Sequence, residues 1–288
     1  MIEHGEGWEL RNGDCVEELG SIESESIGYS VFSPPFASLY TYSDDHRDMG
    51  NCIDSAEFFE HYAFLAEQLE RVLVPGRLVS MHCMLLPTSK SRDGYIGLYD
   101  FRGDLIRCME SAGFIFHSEV VIWKDPVTAM QRTKALGLLH KQIRKDSAMS
   151  RQGIPDYIVT MRKSGENPDP IAHERDELPV SLWQKWASPI WTDINPNGTL
   201  QKESAREQED ERHIAPLQLE VIRRCIALWS NAGDLVLSPF AGIGSEGYEA
   251  IKWGRQYIGI ELKRSYFDQA VANLRAACIE KNQLALFS

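Results

Sequence analysis

Strand-length apolar runs alternate with helix-spaced apolar positions at both ends of the chain, and the pattern lapses between them. Trp8-Glu9-Leu10-Arg11 reads as a strand entering the turn Asn12-Gly13-Asp14, followed by a short helix and a buried strand from Ile27 to Phe32. Ala56 to Leu73 carries apolar residues at helical spacing, Pro75-Gly76 stops that helix, and Arg77 to Met84 reads as the next strand. Tyr99 to Ala112 predicts a helix capped by Gly113, and Phe114 to Trp123 a strand. Order returns with a helix over Gln218–Trp229 and a strand at Leu235-Val236-Leu237. A helix over Ser245–Trp253, a strand over Tyr257–Ile260 and a helix over Tyr266–Lys281 complete the chain. This alternation predicts an α/β fold with a doubly wound, mostly parallel sheet. Between about Lys124 and Arg212, prolines at 126, 155, 168, 170, 179, 189 and 196 punctuate polar loops. Such a stretch is too long for a connection, so we read 124–212 as an irregular insert carrying recognition rather than core.

Composition narrows the class. The 288 residues are 43% hydrophobic and 25% charged, as in globular proteins, and no apolar run approaches the length of a membrane span. The N-terminal residues lack the basic and apolar regions of a signal peptide. Six scattered cysteines with no C-x-x-C pair and no histidine cluster predict reduced thiols and no metal site, as expected in the cytoplasm. The net charge of -12 argues against a nucleic-acid partner, but its distribution does not. Lys124 to Lys163 holds nine Lys/Arg against three Asp/Glu, whereas Ser164 to Arg212 holds five against eleven. The basic block is either a solvated face or a phosphate-contacting surface.

Two turns carry candidate chemistry. Ser33-Pro34-Pro35-Phe36 directly follows the strand ending at Phe32. The prolines cannot donate backbone hydrogen bonds, so the strand ends there and leaves preset carbonyl acceptors beside one hydroxyl and one aromatic face. Those parts suit a planar, amino-bearing group, and an ordinary Pro-Pro loop is the plain alternative. The second turn, Ser238-Pro239-Phe240-Ala241-Gly242-Ile243-Gly244, joins a strand to a helix, where glycines admit a ligand close to the backbone. Glu261 ends the next strand, 17 residues beyond Gly244, where an acid receives ribose hydroxyls. A nucleoside cofactor follows, with NAD as the competitor through Gly242, Gly244 and Gly247.

The two motifs together resemble the β-class of S-adenosylmethionine-dependent DNA amino-methyltransferases. In that class a (D/N/S)-P-P-(Y/F/W) catalytic element precedes the F-x-G-x-G cofactor element, with a target-recognition region between them. Asn12-Gly13-Asp14-Cys15, Val121-Ile122-Trp123-Lys124, His213-Ile214-Ala215-Pro216 and Tyr257-Ile258-Gly259-Ile260-Glu261 match further family segments. The resemblance implies a Rossmann-like methyltransferase domain from 1–123 and 213–288, with 124–212 as the recognition region. It implies S-adenosylmethionine as cofactor, held by Asp14, Cys15, His213, Ser238, Pro239, Phe240, Gly242, Gly244 and Glu261.

The same resemblance implies that Ser33, Pro34, Pro35 and Phe36 are catalytic, and that double-stranded DNA is the partner. Ser33 and the Pro34 carbonyl would accept hydrogen bonds from the exocyclic amino group of a flipped base, and Phe36 would stack on that base. Tyr40, Lys124, Arg132, Lys134, Lys141, Arg144 and Lys145 are the candidate DNA contacts. Serine at the first catalytic position often goes with cytosine N4, but Phe32 and Phe36 depart from the usual flanks of that group. Adenine N6 is slightly favoured because adenine-specific members are the larger class. Ser238 stands where the family commonly has Asp, Ile214 where it has Pro, and Ser245-Glu246 where it has threonines. These departures keep a catalytically weak DNA-binding regulator as the alternative of another class. A solitary or phage-borne bacterial enzyme, near the nucleoid and with a homodimer as candidate assembly, is expected.

Overall fold

The computed structural model describes residues 1–36, 48–52, 54–133, 136–173, 177–200 and 216–287, without the side chains of 129, 131–133 and 284–287. The elements in chain order are β1 (Ile2–Gly5), β2 (Trp8–Asn12), α1 (Cys15–Leu19), β3 (Ile27–Phe32), α2 (Ser55–Val72) and β4 (Leu73–Met84). Then come β5 (Leu86–Pro87), α3 (Lys90–Asp93), β6 (Leu98–Tyr99), α4 (Phe101–Ser111), β7 (Phe114–Ile122), α5 (Pro126–Thr133), β8 (Asp156–Lys163), α6 (Val180–Trp186) and β9 (Ile190–Trp191). The chain closes with α7 (Leu219–Trp229), β10 (Leu235–Ser238), α8 (Ser245–Lys252), β11 (Gln256–Glu261) and α9 (Arg264–Phe287).

Among the described residues one nine-stranded sheet runs in the order β1-β2-β11-β10-β3-β4-β8-β7-β9. The five strands from β2 to β4 in that order are mutually parallel, while β8 runs antiparallel to both β4 and β7. β3 is buried along its whole length, as a central parallel strand must be. Phe32, Leu65, Leu69, Phe101 and Leu105 pack on one face. Tyr29, Val221, Ile226, Phe267 and Leu274 pack on the other. Helices therefore cover both faces, as the alternation predicts.

Two expectations change. Helix α2 ends at Val72, and β4 already begins at Leu73, so Pro75-Gly76 lies inside the strand. Proline keeps its predecessor extended, and Gly76 takes φ +72, so the register shift opposite Ile27 and Tyr29 absorbs both residues. The larger correction concerns 124–212. Asp156–Lys163 is a core strand of the main sheet, paired on both sides, and Ile158, Val159, Thr160 and Met161 are buried. The chain thus returns to the sheet in the middle of the supposed insert, and Trp191 returns to it again at β9. Irregular 3-10 turns at Leu136–Leu138, His140–Arg144 and Ser147–Met149 lie between β7 and β8.

Candidate active site

Parallel strands bring their carboxyl ends to one edge, and there the turns after β2, β3, β10 and β11 surround an open cavity. Ser33, Pro34, Pro35 and Phe36 line one side of it, and Pro239, Phe240, Gly242 and Glu261 the other. The Phe32 and Phe240 rings, 5.7 Å apart, tie the two turns together beneath the cavity. Motifs separated by two hundred residues of sequence thus share one space.

The cavity is acidic on its cofactor side. Glu261 Oε2 accepts from Gly242 N at 2.8 Å, and Oε1 from Lys263 N at 2.9 Å. Burial pushes the Glu261 carboxyl up to about 7, and those two backbone donors oppose the rise. Glu246, in the first turn of α8, also lines the cavity and is only 4% exposed. Burial pushes its carboxyl up to about 8, with Glu261 adding repulsion and its own backbone N–H opposing. Among the described residues no cation pairs with Glu246. Ser245 Oγ, also at the cavity, is buried without a hydrogen-bond partner among the described residues. Gly242 takes φ +52, and beyond its chain neighbours no atom of the described residues lies within 4 Å of the place its Cβ would occupy, so it leaves an open cradle.

Several predicted cofactor residues fall differently. Asp14 lines the cavity, yet its Oδ1 caps α1 by accepting from Val16 N at 2.9 Å and Glu17 N at 3.1 Å. Cys15 lines it as well, with a thiol that burial holds neutral. Ser238 does not reach the cavity: it is fully buried, with its hydroxyl toward the Tyr257 phenol. Gly244 does not line it either. Its φ of +85 starts α8, and its Cβ would meet Ala270 Cβ at 3.2 Å, so it serves helix packing. His213 lies outside the described residues, although the nearby Pro216 and Leu217 line the cavity. Glu246 is the functional candidate that sequence reading passed over, because an acid in a first helical turn ordinarily only complements the helix dipole.

On the catalytic side, Ser33 Oγ lies 3.1 Å from His82 Nδ1. The Phe36 ring stands edge-on to His82 at 6.3 Å and to Phe101 at 6.1 Å, which fixes its plane beside the cavity. Behind Ser33, His82 Nε2 lies 3.0 Å from Asp156 Oδ2. Lys124 Nζ reaches the same oxygen at 2.5 Å, so Lys124 is not the free phosphate contact expected of it. Its charge is spent on a buried carboxylate. Lys163, the last of the basic block, likewise turns inward to Glu25 and Glu70. Lys141, Arg144 and Lys145 do stand exposed on the 3-10 turns. Tyr40 and Lys134 lie outside the described residues, as does the side chain of Arg132.

Both cofactor expectations meet at this side of the cavity. NAD would place a pyrophosphate dianion at the N-terminus of α8, where the buried Glu246 carboxyl stands. S-adenosylmethionine carries a sulfonium and an ammonium, and the residues present fit it. The carboxyls of Glu246 and Glu261, the unpaired Ser245 hydroxyl and the open place at Gly242 match cationic and hydroxylated groups. Among the described residues no three His, Cys, Asp or Glu are placed to hold an ion.

Residues 29–272 match the DNA methylase family that acts on N6 and N4 amino groups, and the chain belongs to that family. Its members are S-adenosylmethionine-dependent DNA methyltransferases, and so is this chain. The type II methyltransferase M.MjaI of Methanocaldococcus jannaschii is 27% identical over 88% of this chain and 86% of its own. The DNA adenine methyltransferase YhdJ of Escherichia coli is 24% identical over 92% of this chain and 82% of its own. In fold, a DNA modification methylase from Thermus thermophilus solved with S-adenosylmethionine superposes with a TM-score of 0.70, at 24% identity, over 93% of each chain.

Proposed function

We propose that this enzyme methylates the N6 amino group of adenine in double-stranded DNA, on a base flipped out of the duplex into the cavity. The observation that carries the reading is the sharing of one cavity by the Ser33 turn and the acidic cofactor side. The adenine choice draws on the YhdJ relative and on the preponderance of adenine enzymes in the class. Cytosine N4 is the alternative it must beat. The NAD reading is dropped because the chain belongs to the DNA methylase family.

Bound S-adenosylmethionine supplies a sulfonium-activated methyl group open to attack by an amine. Glu261 and Glu246 would hold its hydroxyl and cationic parts, with Gly242 leaving room for close approach. The remaining work falls to the Ser33 turn. An exocyclic amino nitrogen keeps its lone pair in the ring, and acceptors at Ser33 Oγ and the Pro34 carbonyl draw its hydrogens out of that plane. Both acceptors are fixed before the base arrives, so positioning and preorganised dipoles supply the rate. Flipping costs a few kcal/mol, and stacking on Phe36, worth roughly 1–3 kcal/mol, offsets part of it. Exposed Lys141, Arg144 and Lys145 are the phosphate contacts we retain. Among the described residues no helix is long and apolar enough to cross a membrane, and a prokaryotic cytoplasm holding the DNA suits the activity.

The test is incubation with mixed-sequence DNA and methyl-labelled cofactor, followed by nucleoside mass spectrometry. Labelled N6-methyladenine is expected. N4-methylcytosine would transfer the site to the other base, and no labelled nucleoside would favour the binding regulator.

A further inference from the structure

The Ser33 hydroxyl is the outer end of a chain of polar groups running inward along the sheet edge. Sheet register builds that chain. Phe32 pairs with Met81, which sets Ser33 beside His82 at the ends of two parallel strands. Met84 and Ile122 both pair with Asp156, so the antiparallel β8 presents its first residue at the edge where its neighbours end. His82 pairs with Ile158, and Asp156 is its diagonal neighbour on the same face. Ser33 to His82 at 3.1 Å, His82 to Asp156 at 3.0 Å and Lys124 to Asp156 at 2.5 Å follow from that register.

The order of donors and acceptors is determined from the inner end. Burial alone would raise the Asp156 carboxyl, but the His82 imidazole and the Lys124 ammonium hold it below the ordinary carboxylate range. Asp156 Oδ2 lies 3.0 Å from Nε2 but off the direction of its N–H, so the carboxylate acts by charge: it favours the hydrogen of a neutral imidazole on Nε2, which turns the Nδ1 lone pair to Ser33. The serine proton then belongs to His82, and what Ser33 offers the cavity is its oxygen lone pairs. Among the described residues, other groups near the ring do not compete. Phe36 and Phe101 are apolar, Cys83 is buried with its thiol pushed up, and Arg102 pairs with Glu119.

We propose that His82, held by Asp156 and Lys124, is a positioning residue that makes Ser33 an acceptor and receives the proton released by methyl transfer. The proposal rests on the reading of Ser33 as the amino-group acceptor. As the amino nitrogen forms its bond to the methyl carbon, the carbon–sulfur pair leaves with sulfur, which becomes a neutral thioether. The surplus proton on nitrogen passes to Ser33 Oγ while the serine's own proton passes to His82 Nδ1. The base departs as a neutral methylamino product and Ser33 is unchanged. The positive charge ends on the His82 imidazolium beside Asp156, and solvent takes that proton between turnovers.

His82→Gln keeps a polar group at the site but removes the proton acceptor. Single-turnover methylation is expected to fall on the order of 100-fold, the low end of general-base effects, with cofactor and DNA affinity little changed. In the cofactor-free wild type, nitrogen-15 NMR should find neutral His82 as the Nε2–H tautomer, and Asp156→Asn should erase that preference. A His82→Gln enzyme with wild-type rate, beside an inactive Ser33→Ala, would overturn the relay and leave the Ser33 reading standing. An active Ser33→Ala would overturn both. If His82→Gln does not fold, the tautomer decides: neutral Nδ1–H refutes the proposal.

Discussion

Glu246→Gln separates stability from function in one substitution. The carboxyl is 4% exposed and pushed from 4.5 up to about 8, chiefly by burial. At about 1.36 kcal/mol per pKa unit, that displacement corresponds to a cost on the order of 5 kcal/mol once the native carboxyl is ionised. The sign follows from where each state holds its proton. The unfolded chain releases it near 4.5 and the native state near 8, so cofactor-free stability is lost as pH rises between those values. Glutamine has no proton to lose. The variant without cofactor should therefore match wild type near pH 5 and exceed it near pH 8.5. Recovery of even about 2 kcal/mol would raise Tm by roughly 4–8 °C in a chain of this size. Cofactor binding should move the other way, since the variant lacks the negative charge that attracts a cationic ligand. Paired thermal scans at the two pH values, with calorimetric titration of S-adenosylmethionine, read both effects. A variant less stable than wild type at pH 8.5, with undiminished cofactor affinity, would refute the assignment.

Three further outcomes follow from the same geometry. Raising pH from 6 to 8.5 should tighten S-adenosylmethionine binding in the wild type and release protons in calorimetry, because Glu246 and Glu261 give up protons near 8 and 7; pH-independent affinity would contradict this. Phe36→Ala should leave cofactor affinity intact and lower kcat/KM on DNA about 10- to 100-fold, the loss of one stacking contact, measured in steady-state methylation assays. Lys141→Ala, Arg144→Ala and Lys145→Ala should each flatten the salt dependence of DNA binding by about 0.9 in slope, whereas Lys124→Ala should leave that slope unchanged and lower Tm.

The sequence made the frame legible because its signals were local. Strand–turn–helix patterns at Ile27–Phe36 and Leu235–Gly244 name elements and place glycines and prolines where a ligand must approach. The strand Asp156–Lys163 was also visible in principle, as the run Tyr157-Ile158-Val159-Thr160-Met161 is rich in strand formers. Flanking prolines and the charge excess drew the reading toward a surface insert instead. The relay behind Ser33 was not legible. His82, Asp156 and Lys124 meet through the register of three strands, and no spacing along the chain encodes that meeting. For the same reason Lys124 looked like a phosphate contact: a lysine in a basic run gives no sign that it faces a buried carboxylate. Ser238 misled in the opposite direction, since a motif position implies a role at the cavity that its side chain, turned toward Tyr257, does not take.

The central claim is that the Ser33 turn presents an exocyclic amino group to the methyl donor. Mass spectrometry of nucleosides from DNA treated with methyl-labelled S-adenosylmethionine, run side by side for wild type and Ser33→Ala, tests it most directly. The account predicts label on the N6 nitrogen of adenine with the wild type and at least a hundredfold less, roughly, with the variant. Label on a ring carbon, or equal labelling by both proteins, would contradict it.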